Sequence, residues 1–332
     1  MTIGLLLVVV GLGLLTKAAD WFVVGAVRVS LRLRVSTVVV GVVVIGFGTS
    51  APELLVSGLA AGQGDTDLGI GNIIGSNVAN LSLVLGVAAL VVPIVVDRPI
   101  LRREAPIAVG AVILFAVLVQ GGLSRSDGII LIGALFVSLT YLIVSAVRAD
   151  VAELEIDDEY RVETSLRREL LLTGGGLFGT VVGAQLLVEG ARRIADALDL
   201  SDGFVGLSLV AIGTSLPELV TAVTAARHDE TDLIVGNLLG SNLFNSLAVG
   251  GAVGLIGPGP LDDSNLAGLA TVIMVVVTVA AWVFMIGGRI VRWEAIALLM
   301  SYAITLPFLA AGAEEESNDA AAPEAVGHEV VP

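Results

Sequence analysis

Residues 48–53 read GTSAPE and residues 66–80 read TDLGIGNIIGSNVAN, and both segments occur a second time in the chain. Shifted by 165 residues, they lie over GTSLPE at 213–218 and TDLIVGNLLGSNLFN at 231–245 without a gap. Between residues 48 and 80, 17 of 33 positions are identical to those 165 residues later. Internal identity of this kind marks a duplicated structural unit. The sequence therefore predicts two homologous halves, each with one copy of both motifs.

The composition around these motifs is that of a membrane protein. Of the 332 residues, 56% are hydrophobic and 15% are charged, and the mean hydropathy is +0.96. About 20 mainly apolar residues suffice to span the hydrocarbon core of a bilayer. Ten such stretches can be delimited, at residues 2–27, 36–61, 68–93, 105–122, 127–147, 168–190, 203–226, 233–257, 265–287 and 293–311. The first stretch is too long for a signal peptide and has no basic residue before it, so it is interpreted as a retained helix.

Each half contains five of these stretches, and five is an odd number. The second half must therefore enter the membrane in the opposite direction to the first, which is the inverted-repeat arrangement typical of secondary transporters. The predicted fold is an all-α integral membrane protein with ten transmembrane helices, in which broken helices from two inverted five-helix repeats surround an ion site at the midplane. The expected divisions are residues 1–148 for the first repeat, 149–166 for a short acidic loop, 167–312 for the second repeat and 313–332 for an acidic disordered tail.

The basic residues predict the orientation of the chain in the cell membrane. With the N-terminus outside, the predicted inner connections carry 13 arginines and the outer ones carry three, at 125, 192 and 193. Because Lys and Arg are retained on the cytoplasmic side, the 149–166 loop is expected in the cytoplasm and both termini outside. The net charge of −15 does not affect this prediction, since acidic residues contribute little to it.

The motif GTSxPE brings oxygen atoms into the hydrocarbon region. Proline removes a backbone N–H and breaks the helix, so bare carbonyls are expected beside the Thr, Ser and Glu side chains. An unpaired carbonyl or carboxylate is costly in lipid and has to face protein or a wet cavity. Oxygen ligands suit hard cations such as Ca²⁺ and Na⁺. The favoured interpretation is a cation site, and the alternative is a proline kink whose glutamate stays protonated or paired with a basic neighbour.

The second motif, GNxxGSNxxN, permits two roles at once. Its glycines form GxxxG pairs that let helices approach closely. Its serines and last asparagines, Ser76, Asn80, Ser241 and Asn245, are predicted to add oxygens to the same cavity. Asn72 and Asn237 are expected to hydrogen-bond the backbone at the breaks instead.

Several classes of function are disfavoured by what the sequence contains. There is no cysteine, so neither a disulfide nor a thiolate metal site can form. No phosphate-binding loop follows a predicted strand, and no nucleophile, base and orienting group appear together, so neither a nucleotide-driven pump nor an enzyme is expected. Nucleic acid and cofactors are not expected either. His228 and His328 are interpreted as solvated surface residues, and Lys17 with Asp20 as a local ion pair.

The paired motifs resemble those of the calcium/cation antiporters, and within them the sodium/calcium exchangers with two α-repeats. The resemblance covers both GTSxPE segments, both GNxxGSNxxN segments and the ten-span layout. It implies that ten side chains line the ion sites, with backbone carbonyls near Gly46 and Ala211 contributing; these are Thr49, Ser50, Glu53, Ser76, Asn80, Thr214, Ser215, Glu218, Ser241 and Asn245. Some relatives carry Asp where this chain has Asn245, including potassium-dependent ones, which argues against a potassium requirement.

The resemblance also implies an activity, the electrogenic exchange of Na⁺ for Ca²⁺ by alternating access, in which the first and sixth spans slide past a fixed core. Glu53 and Glu218 together supply two negative charges, which one Ca²⁺ neutralises, and both ions would share them. The 149–166 loop is too short to fold alone, so the large cytoplasmic regulatory domain of some relatives is absent. The alternatives are a proton/calcium antiporter or an antiporter for another cation, and more distantly a channel or a membrane scaffold. The oligomeric state is left open.

Overall fold

The computed structural model describes residues 2–33, 40–148, 165–197, 215–263 and 265–305, which are almost entirely helical. In the first half the helices are Thr2–Leu33, Gly46–Thr49, Ala51–Gln63, Thr66–Ala79, Leu85–Val91, Arg98–Arg102, Glu104–Leu118 and Arg125–Arg148. In the second half they are Leu166–Ala197, Leu216–Arg227, Thr231–Phe244, Gly250–Ile256, Thr271–Ile286 and a last helix over residues 292–305. Short π-helical turns cover Gly41–Ile45, Asn80–Val84, Asn245–Val249 and Leu266–Ala270.

The all-α membrane fold is confirmed. When consecutive helical elements are counted as one, seven described helical segments are long and apolar enough to cross a membrane, and the other helices overlap the remaining three predicted stretches. The beginning of the stretch at 203–226 and the end of that at 293–311 lie outside the described residues, as do the loop at 149–164 and the tail. Thr2–Leu33 and Leu166–Ala197 have 32 residues each, which is longer than predicted. At about 1.5 Å per residue they exceed the thickness of the hydrocarbon core.

These two long helices pack against each other along their length and are here called the outer pair. A Cβ atom on Gly176 would lie 2.5 Å from Phe22 N, and one on Gly183 would lie 2.6 Å from Leu15 N. Residues later in Leu166–Ala197 therefore contact residues earlier in Thr2–Leu33. The first helices of the two halves are therefore antiparallel, as an inverted repeat requires.

The helices that carry the GNxxGSNxxN motifs form the centre of the molecule. In the most apolar part of Thr66–Val91, 78% of the residues are buried, and in that of Thr231–Ile256 83% are buried. The same parts of the two outer helices have only 28% and 33% of their residues buried. Lipid-facing helices keep one apolar side exposed, whereas a helix surrounded by protein does not. The motif-bearing helices, together with Gly41–Gln63 and Leu216–Arg227, are here called the central bundle.

Two backbone connections join the halves, one at each end of the fold. Strands Ile94–Val95 and Arg289–Ile290 pair antiparallel, with Ile94 opposite Ile290. At the other end Leu123 forms an antiparallel bridge with Gly259, the residue 165 positions after Ile94. The repeat is therefore visible in the connections as well as in the helices.

Close approach of glycines brings the broken helix of the first half against the motif helix of the second. A Cβ atom on Gly240 would lie 2.6 Å from Val42 Cα, and one on Gly46 would lie 2.7 Å from the carbonyl carbon of Gly240. The predicted role of the second-half GxxxG pair as a close-packing surface is confirmed. A Cβ atom on Gly75, the first-half counterpart of Gly240, would meet no atom of another helix within 4 Å among the described residues.

One surface assignment is wrong. His228 was expected to be solvated, but its Nε2 atom lies 3.1 Å from Asp20 Oδ1 and its side chain is only 20% exposed. The helix Leu216–Arg227 packs against Thr2–Leu33, which brings the following loop to Asp20. The expected local pair of Lys17 and Asp20 is present at 3.5 Å.

Candidate cation site

The first GTSxPE motif interrupts a helix at Ser50, and the serine of the second, Ser215, has the same backbone conformation where a helix begins. Ser50 has φ −83° and ψ 6°, and Ser215 has φ −88° and ψ 3°, and a new helix follows each of them. Pro52 and Pro217 lie in the first turn of these new helices, where the missing N–H costs nothing because that N–H has no helical partner. The predicted break is confirmed at Ser50, and Thr214, which precedes the second break, lies outside the described residues.

The two motif glutamates follow the breaks directly and are fully buried. Glu53 and Glu218 have no exposed surface, and their carboxylate oxygens have no hydrogen-bond partner among the described residues. Each carboxylate belongs to the first turn of a helix, where the helix dipole favours negative charge. The two groups lie within electrostatic range of each other. Two buried acidic groups, one from each half, therefore lie within electrostatic range of each other, and their oxygens have no partner among the described residues.

Buried hydroxyl groups of both halves lie in the same region as the two glutamates. Thr49 Oγ1 lies 3.3 Å from Ser241 Oγ and donates to Asn237 Oδ1 at 3.2 Å. Thr49 and Ser241 both lie near the Glu218 carboxylate, whose oxygens are not paired in a hydrogen bond with any described residue. The Ser50 and Ser215 hydroxyls are buried without a partner among the described residues. These side chains place neutral oxygen atoms beside the two carboxylates.

The Gly46 carbonyl, predicted to contribute to the ion site, already accepts hydrogen bonds. Its oxygen receives Ser50 N at 3.2 Å and Ser241 Oγ at 3.5 Å. The turn at Ser50 thus keeps the backbone bond to Gly46, so this carbonyl is not bare, and its contribution to the ion site stays a prediction. A carbonyl oxygen has two lone pairs, so an ion could replace the longer of the two bonds. Ala211, the other predicted carbonyl, lies outside the described residues.

A feature that the sequence did not reveal is the π-helical turn at each motif asparagine. Asn80–Val84 and Asn245–Val249 are π-helical and occupy equivalent positions in the two halves. A π-turn adds one residue to a helical turn, and such insertions are frequent at functional sites. No glycine or proline lies within either turn, so composition gave no signal. The duplication of two polar asparagines in an apolar helix was the only available indication.

The asparagines form a chain of hydrogen bonds across the interface between the halves. Asn80 Nδ2 donates to Asn242 Oδ1 at 3.1 Å, and Asn242 Nδ2 donates to Asn77 O at 3.1 Å. Asn77 Nδ2 in turn donates to Ser246 Oγ at 3.1 Å. Asn77 and Asn242 were matched in the repeat but were given no role from sequence. The presence of asparagine at both equivalent positions was the feature of the sequence that could have indicated this hydrogen-bonded contact.

Asn245 differs from its repeat equivalent, Asn80. Neither the oxygen nor the nitrogen of its side-chain amide has a partner among the described residues, and the residue is fully buried. A buried polar group without a partner is costly. The Asn245 oxygen is thus available as a ligand in the interior.

Nine of the predicted side chains lie in the described part of the chain, and all nine are buried: Thr49, Ser50, Glu53, Ser76, Asn80, Ser215, Glu218, Ser241 and Asn245. The contacts join Thr49 and Ser241 to each other and place them beside Glu218, which is in range of Glu53. No described side-chain hydrogen bond joins another predicted site residue to any of the remaining buried members of the set, Ser50, Ser76, Asn80, Ser215 and Asn245.

The role predicted for Asn237 is wrong, since its Oδ1 accepts from the Thr49 hydroxyl and no described bond joins its amide to the backbone of the first break. Asn72 Nδ2 donates to Ser57 Oγ at 3.0 Å, and its predicted bond to the backbone stays a prediction because residues 198–214 lie outside the described part of the chain. Because Ser50 N keeps its hydrogen bond to Gly46 O, the backbone at the first break needs no partner from Asn237, which bonds the Thr49 hydroxyl instead. Asn237 therefore holds a predicted ligand in place.

Comparison with known proteins agrees with this geometry. The family model of the sodium/calcium exchanger protein matches residues 3–144 and 169–310, one match for each half. The chain is 30% identical over 350 residues to the sodium/calcium exchanger MaX1 of Methanosarcina acetivorans, covering 93% of this chain and 99% of the relative. It is 38% identical over 265 residues to the inner membrane protein YrbG of Escherichia coli, covering 77% of this chain and 81% of the relative.

A solved structure shows the same fold. The sodium-calcium exchanger NCX_Mj, soaked with 10 mM Na⁺ and without Ca²⁺, superposes with a TM-score of 0.82 and 33% sequence identity. The alignment covers 92% of this chain and 98% of the exchanger. The matched halves, the breaks and the shared fold together show that this chain is a multi-pass membrane transport protein of the sodium/calcium exchanger family.

Proposed function

We propose that this chain is a secondary antiporter that exchanges Na⁺ for Ca²⁺ across the cell membrane by alternating access. The observation that carries the proposal is the pair of fully buried carboxylates, Glu53 and Glu218, whose oxygens have no partner among the described residues. A buried ionised carboxylate needs a counter-charge, and no described ion pair supplies one to either glutamate. A cation bound between the two halves provides it.

The charge of the site suits a divalent ion and also its replacement by sodium. Glu53 and Glu218 together contribute two negative charges, whereas Asn80 and Asn245 contribute none. One Ca²⁺ balances the pair. The proposed ligands include more neutral oxygens than carboxylates, and these can hold Na⁺ ions without further negative charge. We propose that the two glutamates are shared, so that calcium and sodium exclude each other.

The proposed ligands are the predicted residues, of which Thr214 and Ala211 rest on the repeat alone. They are Thr49, Ser50, Glu53, Ser76 and Asn80 of the first half, Thr214, Ser215, Glu218, Ser241 and Asn245 of the second, and the carbonyls of Gly46 and Ala211. Exchange of more than two Na⁺ for each Ca²⁺ moves net charge, and we propose that transport is electrogenic. No cofactor or nucleotide enters this cycle.

Alternating access requires one part of the molecule to move against another. Hydrogen bonds between Asn80 and Asn242 and between Thr49 and Ser241 join the two halves of the central bundle, which favours its moving as one body. The outer pair reaches the site through Leu177, whose side chain fills the space that a side chain on Gly48 would occupy. We propose that the outer pair slides along the central bundle and that Leu177 moves past the first break as it does so.

The test is flux driven by a defined gradient in proteoliposomes that contain the purified chain. An outward Na⁺ gradient is expected to drive Ca²⁺ uptake, and an imposed membrane potential is expected to change its rate. Uptake that ignores sodium and follows a pH gradient would instead identify a proton/calcium antiporter. Conductance without coupling to either gradient would identify a channel.

A further inference from the structure

A groove on the lipid-facing surface lies outside the cation site and contains none of its predicted residues. It is open, has a volume of about 790 Å³ and runs along the second half of the helix Arg125–Arg148. Six residues of that helix line it, together with Arg103: Phe136, Val137, Thr140, Tyr141, Val144 and Ser145. We call it the Arg103 groove.

The lining residues follow one face of the helix. Positions 137, 140, 141, 144 and 145 are spaced by three and four residues, so they lie above one another on the helix surface. Val137 is 70% exposed, Phe136 65% and Tyr141 52%. In a chain that spans a bilayer, a face of this kind is covered by hydrocarbon. The length of the groove therefore suits an acyl chain.

One end of the groove is cationic. Arg103 lies at the junction between the helices Arg98–Arg102 and Glu104–Leu118 and has 25% of its side chain exposed. Its described contact is an ion pair to Glu104 Oε1 at 3.6 Å, and a guanidinium has five N–H donors. Arg98 and Arg102, within five residues of it, are exposed. This end can therefore bind a phosphate with guanidinium donors that have no partner among the described residues.

We propose that the Arg103 groove binds an anionic phospholipid, with one acyl chain along the exposed face and the phosphate at Arg103. Basic pockets between transmembrane helices are the usual sites for anionic headgroups. An occupant must be apolar along the helix and negatively charged at the end of the groove, and an anionic lipid combines both properties in one molecule. A second copy of this chain would have to bring an acidic group to Arg103 from within the membrane, where such groups are costly.

The experiment uses the full chain, reconstituted in an equal mixture of phosphatidylglycerol and phosphatidylcholine and released into detergent for native mass spectrometry. The parent is expected to retain phosphatidylglycerol in preference to phosphatidylcholine. Arg103→Gln is expected to reduce that preference by about fivefold. A basic residue near anionic headgroups contributes about 1 kcal/mol of binding free energy, which corresponds to a fivefold change in affinity. Arg125→Gln, an exposed arginine at the other end of the same helix, is the matched control and should retain the preference of the parent.

A second variant tests the apolar part of the groove without changing the charge of Arg103. Val137→Trp keeps Arg103 and fills the groove with a side chain that lipid tolerates, so it is expected to reduce the amount of bound lipid of either kind. The proposal is overturned if the parent retains both lipids equally, or if neither variant differs from the Arg125→Gln control. It is also overturned if the chain is released as a dimer that Val137→Trp dissociates, because a second copy would then occupy the groove. Sodium-driven calcium flux is measured in a separate experiment. A negative result for lipid binding therefore does not contradict the proposed exchange of Na⁺ for Ca²⁺.

Discussion

Replacement of Gly240 by alanine tests whether the close contact between the halves builds the cation site. The added Cβ would lie 2.6 Å from both Val42 Cα and Val42 O. Carbon atoms in contact lie about 3.5–4.0 Å apart, so the two helices have to separate by about 1 Å. The obstructing atoms are backbone, which no change of rotamer can move. Overpacking of this kind costs about 1–3 kcal/mol.

The same displacement should disturb function. Thr49 Oγ1 lies 3.3 Å from Ser241 Oγ and 3.2 Å from Asn237 Oδ1, and a further separation of about 1 Å takes both contacts out of hydrogen-bonding range. We expect Gly240→Ala to lower the midpoint of thermal unfolding in detergent and to abolish most of the sodium-driven calcium flux.

The matched control is Gly110→Ala, at an exposed glycine in the helix Glu104–Leu118 with no neighbour within 4 Å among the described residues. Alanine favours a helix more than glycine does, so this variant should be at least as stable as the parent and as active. If Gly240→Ala unfolded and transported like Gly110→Ala, the contact between the halves would not hold the site together, and the reasoning would be refuted.

Three further predictions concern orientation, the tail and the charge of the site. A tag in 149–164 should be protected in intact cells and a tag after Gly312 accessible, because of the arginine distribution; the reverse labelling would contradict the predicted orientation. Deletion of residues 315–332 should leave calcium flux within a few-fold of the parent, as exposed termini tolerate change; loss of flux at normal expression would reveal a role for the acidic tail. Asn245→Asp adds a third carboxylate and should alter the sodium dependence of flux or introduce sensitivity to protons or potassium; an unchanged cation dependence would place Asn245 outside the site.

Much of the fold follows from local sequence. Apolar stretches define the helices because every backbone group in lipid has to bond within its own helix. Five stretches per half then require inversion. Proline predicts the break at Ser50 because it cannot donate a hydrogen bond within a helix. These inferences depend on covalent chemistry and on the bilayer, and neither requires knowledge of tertiary contacts.

The details of the site could not be predicted in the same way. The hydrogen bond that Thr49 donates to Asn237 joins two residues 188 positions apart, and its existence depends on how closely Gly46 and Gly240 approach each other. The π-turns at Asn80 and Asn245 arise in segments whose composition is ordinary for a helix. His228 reaches Asp20 only because two helices from different halves pack together. Tertiary packing decides all three features, and a pattern of residue types does not encode it.

The central claim is that Glu53 and Glu218 are shared by calcium and sodium, and the most direct measurement is the comparison of two fluxes in glutamine variants. In proteoliposomes, Glu53→Gln and Glu218→Gln are each expected to lose sodium-driven calcium uptake and calcium–calcium exchange together, because a neutral amide cannot balance a divalent ion in a low-dielectric interior. Glu189→Gln, at an exposed glutamate paired with Arg193 at 2.6 Å, serves as the control and should retain both fluxes, since exposed pairs contribute little. Retention of either flux at the level of this control, in either variant, would contradict the shared-ligand account.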